Sequence, residues 1–256
     1  LPATNPIAHE QGYAIVARVG EPVALYANAP TGLLYAVATF LQLLARHGNQ
    51  VQLPNVFVQD QPAYRWRGNS WLLHGERSGW SYGRGDGPRA YEERVIRKLD
   101  LCAMHKINFL HFDGFEWDVN KFPGYAGMMR RINGQAKLRG IRLSFGGEGA
   151  FQAGFTNRRR YPDGPEYPCI GYHNDEPSRF SGTCLSNRAL LQLRLAKLQA
   201  FVRTIQPGAI YLHNIDTGTV VDSALTWKLR CPACRQRWPN DAIIAPDGMA
   251  GAYAVF

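Results

Sequence analysis

Apolar and polar positions follow one rhythm at the start of the chain and another after it. "GYAIVARV" and "PVALYANA" are two apolar runs rich in strand-forming residues. A helical pattern follows, opening near Thr31 and placing Leu33, Leu34, Val37, Leu41 and Leu44 at helical spacing before Gly48. "LPNVFVQDQPAYRW" comes next, punctuated by Pro54 and Pro62. These signals predict a small α+β domain over residues 1–62.

From about residue 64 strands and helices alternate. "YRWRGNSWLL" is strand-like, and residues 90–106 are helical with Val95, Leu99 and Cys102 on one face. "INFLHFD" is an apolar strand that ends polar. Residues 125–139 read as a helix with Met128, Met129, Ile132 and Ala136 inward, and "IRLSFGGEG" as the next strand. Residues 150–187, rich in Gly, Pro, Tyr and Arg, read as a long loop. Leu191, Leu195, Leu198, Val202 and Ile205 mark an amphipathic helix that stops at Pro207–Gly208, and "AIYLHNID" is the fourth strand. Apolar strands alternating with helices predict a parallel sheet covered on both faces, over residues 63–256.

Each strand turns polar only near its C-terminal end: Asn69; His111 and Asp113; Glu148; His213 and Asp216. Both a β/α barrel and a doubly wound sheet carry their chemistry at that end. No Gly-rich phosphate fingerprint follows a strand, which argues against a nucleotide site. The "GRGDG" at Gly83 to Gly87 follows no strand. Four strands make half a barrel, which predicts that the chain is a piece of a longer protein.

Composition adds bounds. The chain has 256 residues, 45% of them hydrophobic, enough for one large domain or a small and a larger one. The longest apolar run, "GLLYAVATFLQLLA", falls short of the roughly 18 residues that cross a bilayer, and no membrane span is expected. The net charge is +9, but the cations are scattered and the one tight run is Arg158–Arg159–Arg160. That pattern is a basic surface rather than a nucleic-acid footprint. The opening residues carry neither the basic start nor the apolar core of a leader. A periplasmic or extracellular location is nevertheless the expectation, with a cytoplasmic one as the alternative. The sequence leaves the oligomeric state open.

Three stretches resemble glycoside hydrolase family 20, the β-N-acetylhexosaminidases and their relatives. "NAPTGLLYAVATFLQLL" with "LPNVFVQDQPAYRWRG" resembles the end of that family's small α+β domain and the passage into its barrel, where Asp-x-Pro precedes an aromatic and Arg-Gly. "RKLDLCAMHKINFLHFD" resembles the first barrel helix and second strand, with their Lys-φ-Asn-φ-φ-His pattern. "RGIRLSFGGEG" loosely resembles the third strand. The resemblance covers roughly residues 11–149 and, more faintly, 188–218; α-glucuronidases with the same appended domain share some of these features. It implies the first half of a (β/α)8 TIM-type barrel behind the α+β domain, and a carbohydrate as the binding partner. It also implies hydrolysis of terminal N-acetylhexosamines by a substrate-assisted retaining mechanism, an exception to the usual carboxylate pair. In that mechanism an Asp-Glu pair ends the fourth strand: Glu protonates the leaving oxygen and Asp orients the acetamido group. No catalytic cofactor is implied.

This chain departs from that pattern. Aligned without a gap, the pair falls on Ile215–Asp216; aligned on the Asp, it falls on Asp216–Thr217. Asp113 also stands where the family often has a second His after His111. Asp216 is the first catalytic candidate, although Asp-Thr-Gly is equally turn chemistry. Glu148 ends the neighbouring strand. With strands about 4.8 Å apart, it is within reach of the carboxylate separations that glycosidases use. Asp113 is the third candidate, while Glu116 and Asp118 read as loop surface. Arg67 matches the family's first-strand Arg, which holds sugar hydroxyls; a structural ion pair with Asp113 or Asp216 is the competing reading. His111 and His213 are candidate sugar contacts or rim hydrogen bonders. Trp71 and Trp117, with Trp80, are rings suited to stacking on a pyranose face or to ordinary packing.

Five cysteines remain to be placed. Cys102 sits in a helical apolar pattern as a small hydrophobe. Cys231-x-x-Cys234 and the pair Cys169 and Cys184 lie in successive loops at one end of the sheet. They are compatible with a structural tetrahedral zinc site, with two disulfides, or with free thiols. A pseudo-enzyme that binds carbohydrate without turnover is the alternative to a hydrolase.

Overall fold

The computed structural model describes residues 7–69, 87–113, 123–146, 155–157, 170–173, 176–182, 186, 188–211, 232–242, 244–248 and 250–251. The opening apolar runs form β1 (Tyr13–Ala17) and β2 (Ala24–Ala27), followed by helix α1 (Pro30–Leu43). Pro30 occupies the first turn of α1, where a missing N–H costs nothing. A short hairpin, β3 (Ala45–His47) with β4 (Gln50–Gln52), precedes β5 (Val56–Asp60). The antiparallel sheet has the order β2-β1-β5, so the most apolar strand is central. Tyr13, Ile15, Tyr35 and Ala36 form its fully buried core, with Leu25, Leu34, Phe40 and Val58 packed around them.

Two expectations for α1 are corrected. Its buried side is Gly32, Tyr35, Ala36 and Ala38, whereas Leu33, Val37 and Leu41 are 45%, 39% and 47% exposed. The small residues let the helix lie close to its neighbours: a Cβ at Gly32 would collide with the carbonyl oxygen of Gly12. Close approach, not aliphatic spacing, sets the face. The helix also stops at Leu43, not at Gly48. Leu44 is already extended (φ −71°, ψ 120°), and Gly48, at φ +58°, turns the β3–β4 hairpin.

The second region is built on parallel strands. β6 (Gly68–Asn69) is followed by α2 (Gly87–Met104), β7 (Phe109–Asp113), α3 (Tyr125–Leu138) and β8 (Arg142–Gly146). After three further strands come α4 (Arg188–Ile205) and β12 (Ala209–Tyr211), and α5 (Pro232–Arg237) lies beyond. The sheet order is β12-β8-β7-β6, all parallel. Spatial order follows chain order without the reversal that defines a doubly wound switch point.

Strand alternation separates the two faces of this sheet. Leu110, Phe112, Leu143 and Phe145 face the helices, against Val95, Leu99 and Cys102 of α2, Met128, Met129, Ile132 and Ala136 of α3, and Phe201 and Ile205 of α4. Phe112 and Phe145 stack at 5.2 Å, and Phe145 meets Phe201 edge-on at 5.7 Å. The inward residues expected in α2 and α3 are those found. In α4 the expected stripe holds at Ile205, with Leu198 packed against the core, and is corrected at Leu195 and Val202, which are exposed while Phe201 is buried. The C-terminus of α4 is tied to α3 by Asn133, whose Nδ2 donates to the carbonyls of Ile205 and Gln206.

Residues 150–187 are more than a loop. They include β9 (Phe155–Asn157), β10 (Ile170–His173) and β11 (Glu176–Gly182), an antiparallel sheet of order β10-β11-β9. The β9–β11 pairing joins segments about 20 residues apart, and such non-local pairing leaves no turn signature between its partners. Among the described residues no helix is long and apolar enough to cross a membrane.

Candidate functional site

The face of the parallel sheet turned away from the helices carries the polar residues. His111 is the third residue of β7 and pairs in register with Ser144 of β8. Its Nδ1 lies 3.3 Å from Ser144 Oγ, and its ring meets Tyr211 of β12 edge-on at 4.8 Å. Ser144 is buried at 2% exposure, while Tyr211 is 46% exposed. Three adjacent parallel strands thus contribute an imidazole, a hydroxyl and a phenol to one patch. The patch offers hydrogen-bonding groups and an aromatic surface, a combination suited to a polar ligand with apolar faces.

The patch leads toward the strands' C-terminal ends. Asp113 is the last residue of β7 and is in register with Gly146, the last residue of β8. Gly146 has φ +138°, a conformation side chains disfavour. The candidates Glu148 and Asp216 follow β8 and β12 in sequence, but both lie outside the described residues, as do His213, Trp71 and Trp117. Ser144 and Tyr211 were not among the expected site residues. The available signal was a lone hydroxyl at an alternate position of "IRLSF" and a phenol in "IYLH".

Arg67, the expected holder of sugar hydroxyls, lies apart from this patch. It precedes β6 at the N-terminal end of the sheet, where its carbonyl accepts the N–H groups of Asn108 and Phe109. Its Nε donates to the Lys106 carbonyl at 2.8 Å. One terminal nitrogen donates to Gln11 Oε1 at 2.9 Å and to the Tyr64 carbonyl at 2.5 Å, and the other to Tyr35 Oη at 2.8 Å. The guanidinium also lies 5.2 Å from the centre of the Tyr35 ring. A fork so committed to protein acceptors has little left for a ligand at the opposite end of the strands. Its partners are carbonyls, an amide oxygen and a phenol. Burial pushes the Tyr35 hydroxyl's pKa up, and Arg67 only partly offsets this.

The Asn of the Lys-φ-Asn pattern is structural as well. Asn108 is 3% exposed; its Oδ1 accepts the Arg67 N–H at 2.8 Å, and its Nδ2 donates to the Arg65 carbonyl at 2.8 Å. Nearby, Trp66 lies edge-on to Phe109, with the Arg142 guanidinium 4.5 Å from its ring centre. The N-terminal end of the sheet is thus an aromatic and cationic support, and the polar patch lies further along the strands.

Of the thiols, Cys102 is buried in the core, and desolvation pushes its pKa up to about 11, as befits an inert packing residue. Cys234 is buried in α5, its Sγ 3.2 Å from Ser186 Oγ. That contact brings α5 against the segment leading into α4. Cys169, Cys184 and Cys231 lie outside the described residues, so the choice among zinc, disulfides and thiols rests on their sequence spacing.

Comparison with known proteins finds glycosyl hydrolase family 20 repeatedly. Residues 2–61 match the model for glycosyl hydrolase family 20, domain 2. A β-hexosaminidase of Vibrio furnissii is 27% identical over 127 residues, which are 47% of this chain and 18% of that protein. Among solved structures, the family 20 exo-β-N-acetylglucosaminidase of Vibrio harveyi, in complex with N-acetylglucosamine, superimposes with a TM-score of 0.64 at 16% identity. The alignment covers 91% of this chain and 39% of that one. The family 20 β-N-acetylhexosaminidase of Streptomyces coelicolor A3(2) gives a TM-score of 0.56 at 20% identity, over 91% of this chain and 51% of that one. The chain therefore spans from under a fifth to about half the length of these relatives, and its fold is family-20-like.

Proposed function

We propose that this family-20-like chain supplies the α+β domain and the first four strands of a (β/α)8 barrel in a glycosidase of the β-N-acetylhexosaminidase type. The observation that carries the proposal is the sheet: four parallel strands in chain order, behind a domain-2 match, with a polar patch leading to their C-terminal ends. Catalysis in barrels of this kind sits at that end. The Vibrio harveyi relative is known in complex with N-acetylglucosamine, which supports a terminal amino sugar as the substrate.

In this reading Asp216 supplies the proton chemistry at the end of the fourth strand, with Glu148 or Asp113 as its partner. His111, Ser144 and Tyr211 line the approach and hydrogen-bond or stack on the sugar. The chemistry differs from the usual Asp-Glu arrangement because Ile215 and Thr217 flank the single Asp216. The same departure favours a second reading, a carbohydrate-binding relative without turnover. An α-glucuronidase-like hydrolase is the variant within the first.

The test is hydrolysis of p-nitrophenyl N-acetylglucosaminide and of a p-nitrophenyl glucuronide by this chain and by any longer protein that contains it. Turnover of the first substrate, lost in Asp216→Asn, is the expected outcome. Full activity in Asp216→Asn would remove that residue from the mechanism. Calorimetric glycan binding with no turnover at high protein concentration would select the second reading.

A further inference from the structure

The seam between the antiparallel unit and the parallel sheet converges on one residue, Lys106. It lies in the turn between α2 and β7 with φ +57°, a left-handed conformation that few non-glycine residues adopt. Its carbonyl accepts the Arg67 Nε–H at 2.8 Å. Its ammonium donates to Tyr13 Oη at 2.6 Å and to Asp60 Oδ2 at 3.3 Å, and lies 4.8 Å from the centre of the Tyr13 ring. Tyr13 in turn bonds Asp60 at 2.8 Å and Thr39 at 2.7 Å. Arg67 adds the second grip, on Gln11 and Tyr35, which are 4% and 1% exposed. Gln42 of α1 donates to the Met104 carbonyl at 2.6 Å.

Both grips reach the same small core, since Tyr13 and Tyr35 are two of its four fully buried members. A three-stranded sheet with one helix is close to the lower limit for independent stability. Charge-assisted hydrogen bonds to buried partners are the strong class. We propose that Arg67 and Lys106 form a two-point clasp that makes the α+β unit and the parallel sheet one cooperative folding unit. The clasp also explains the left-handed backbone at Lys106, because that turn presents the carbonyl to Arg67 while the side chain reaches Tyr13 and Asp60.

Scanning calorimetry and native-state hydrogen exchange on the chain test the clasp. The wild type should unfold in a single transition, with calorimetric and van't Hoff enthalpies equal. Arg67→Met combined with Lys106→Gly should split it, with β1, α1 and β5 losing protection first while β7 and β8 keep theirs. Lys106→Gly alone eases the backbone and removes the ammonium. The clasp requires its midpoint to fall, whereas relief of strain alone would raise it. Should the double variant fail to fold, Tyr35→Phe carries the test, because it removes only one acceptor hydroxyl. Amide exchange in α1 should then rise about tenfold relative to β8. Two transitions in the wild type, or uniform loss of protection in either variant, would overturn the proposal.

Discussion

The two regions reach stability by different routes. The antiparallel unit fully buries four residues in its hydrophobic core and brings its helix close through Gly and Ala. Among the described residues the parallel region buries sixteen, drawn from three helices, two strands and Ile141 just ahead of β8, with stacked phenylalanines at the centre. The larger core stands on apolar area, which accumulates with every strand and helix added. The smaller one leans on polar contacts across a seam, which must be satisfied in detail. A unit with a clear sequence pattern of its own is thus joined to its neighbour by polar contacts that end in its core.

Three measurements sharpen or break this contrast. The largest effect belongs to the parallel sheet. Phe112→Ala removes a fully buried ring, and its expected cost is about 3–5 kcal/mol by chemical denaturation. A loss under about 1 kcal/mol would mean that this core is not where the stability resides.

The second concerns the seam. Burial raises the Asp60 carboxyl, but the Tyr13 hydrogen bond and the Lys106 ammonium outweigh it and hold the group below the usual carboxylate range. A lowered folded pKa means that the contribution is present above the unfolded value, about 3.9, and is lost as pH falls through the folded value. Asp60 is about half exposed, so the effect is modest. In Asp60→Asn the drop in melting temperature below about pH 4 should be shallower than in the wild type. Identical pH profiles would remove the ion pair from the seam's stability.

The smallest effect tests the helix face. Leu33→Gln and Leu41→Gln should each change stability by less than about 0.5 kcal/mol, because both side chains are nearly half exposed. A loss of about 2 kcal/mol or more would restore the face that the aliphatic spacing suggested.

Much of the second region was legible because α2 and α3 each bury a single stripe against a sheet. Val95, Leu99 and Cys102, and Met128, Met129, Ile132 and Ala136, could be read from spacing alone. Helix α1 could not. It has neighbours on more than one side, and the tightest approach selected its small residues. The β9–β11 pairing was hidden because its partners are distant in sequence. At the candidate site His111 was legible as a polar residue near the end of an apolar strand. Ser144 and Tyr211 emerged only when register brought three strands together.

The sequence by itself determined the alternation of strands and helices, the division into an antiparallel and a parallel region, and the polar C-terminal ends. These follow from local periodicity, which each segment carries alone. Tertiary structure decided what Arg67 does. Its resemblance to a sugar-binding arginine is a matter of position in a motif, whereas its partners are set by where Gln11, Tyr35 and Lys106 fold around it. A guanidinium has a fixed set of donors, and here acceptors from both regions take most of them.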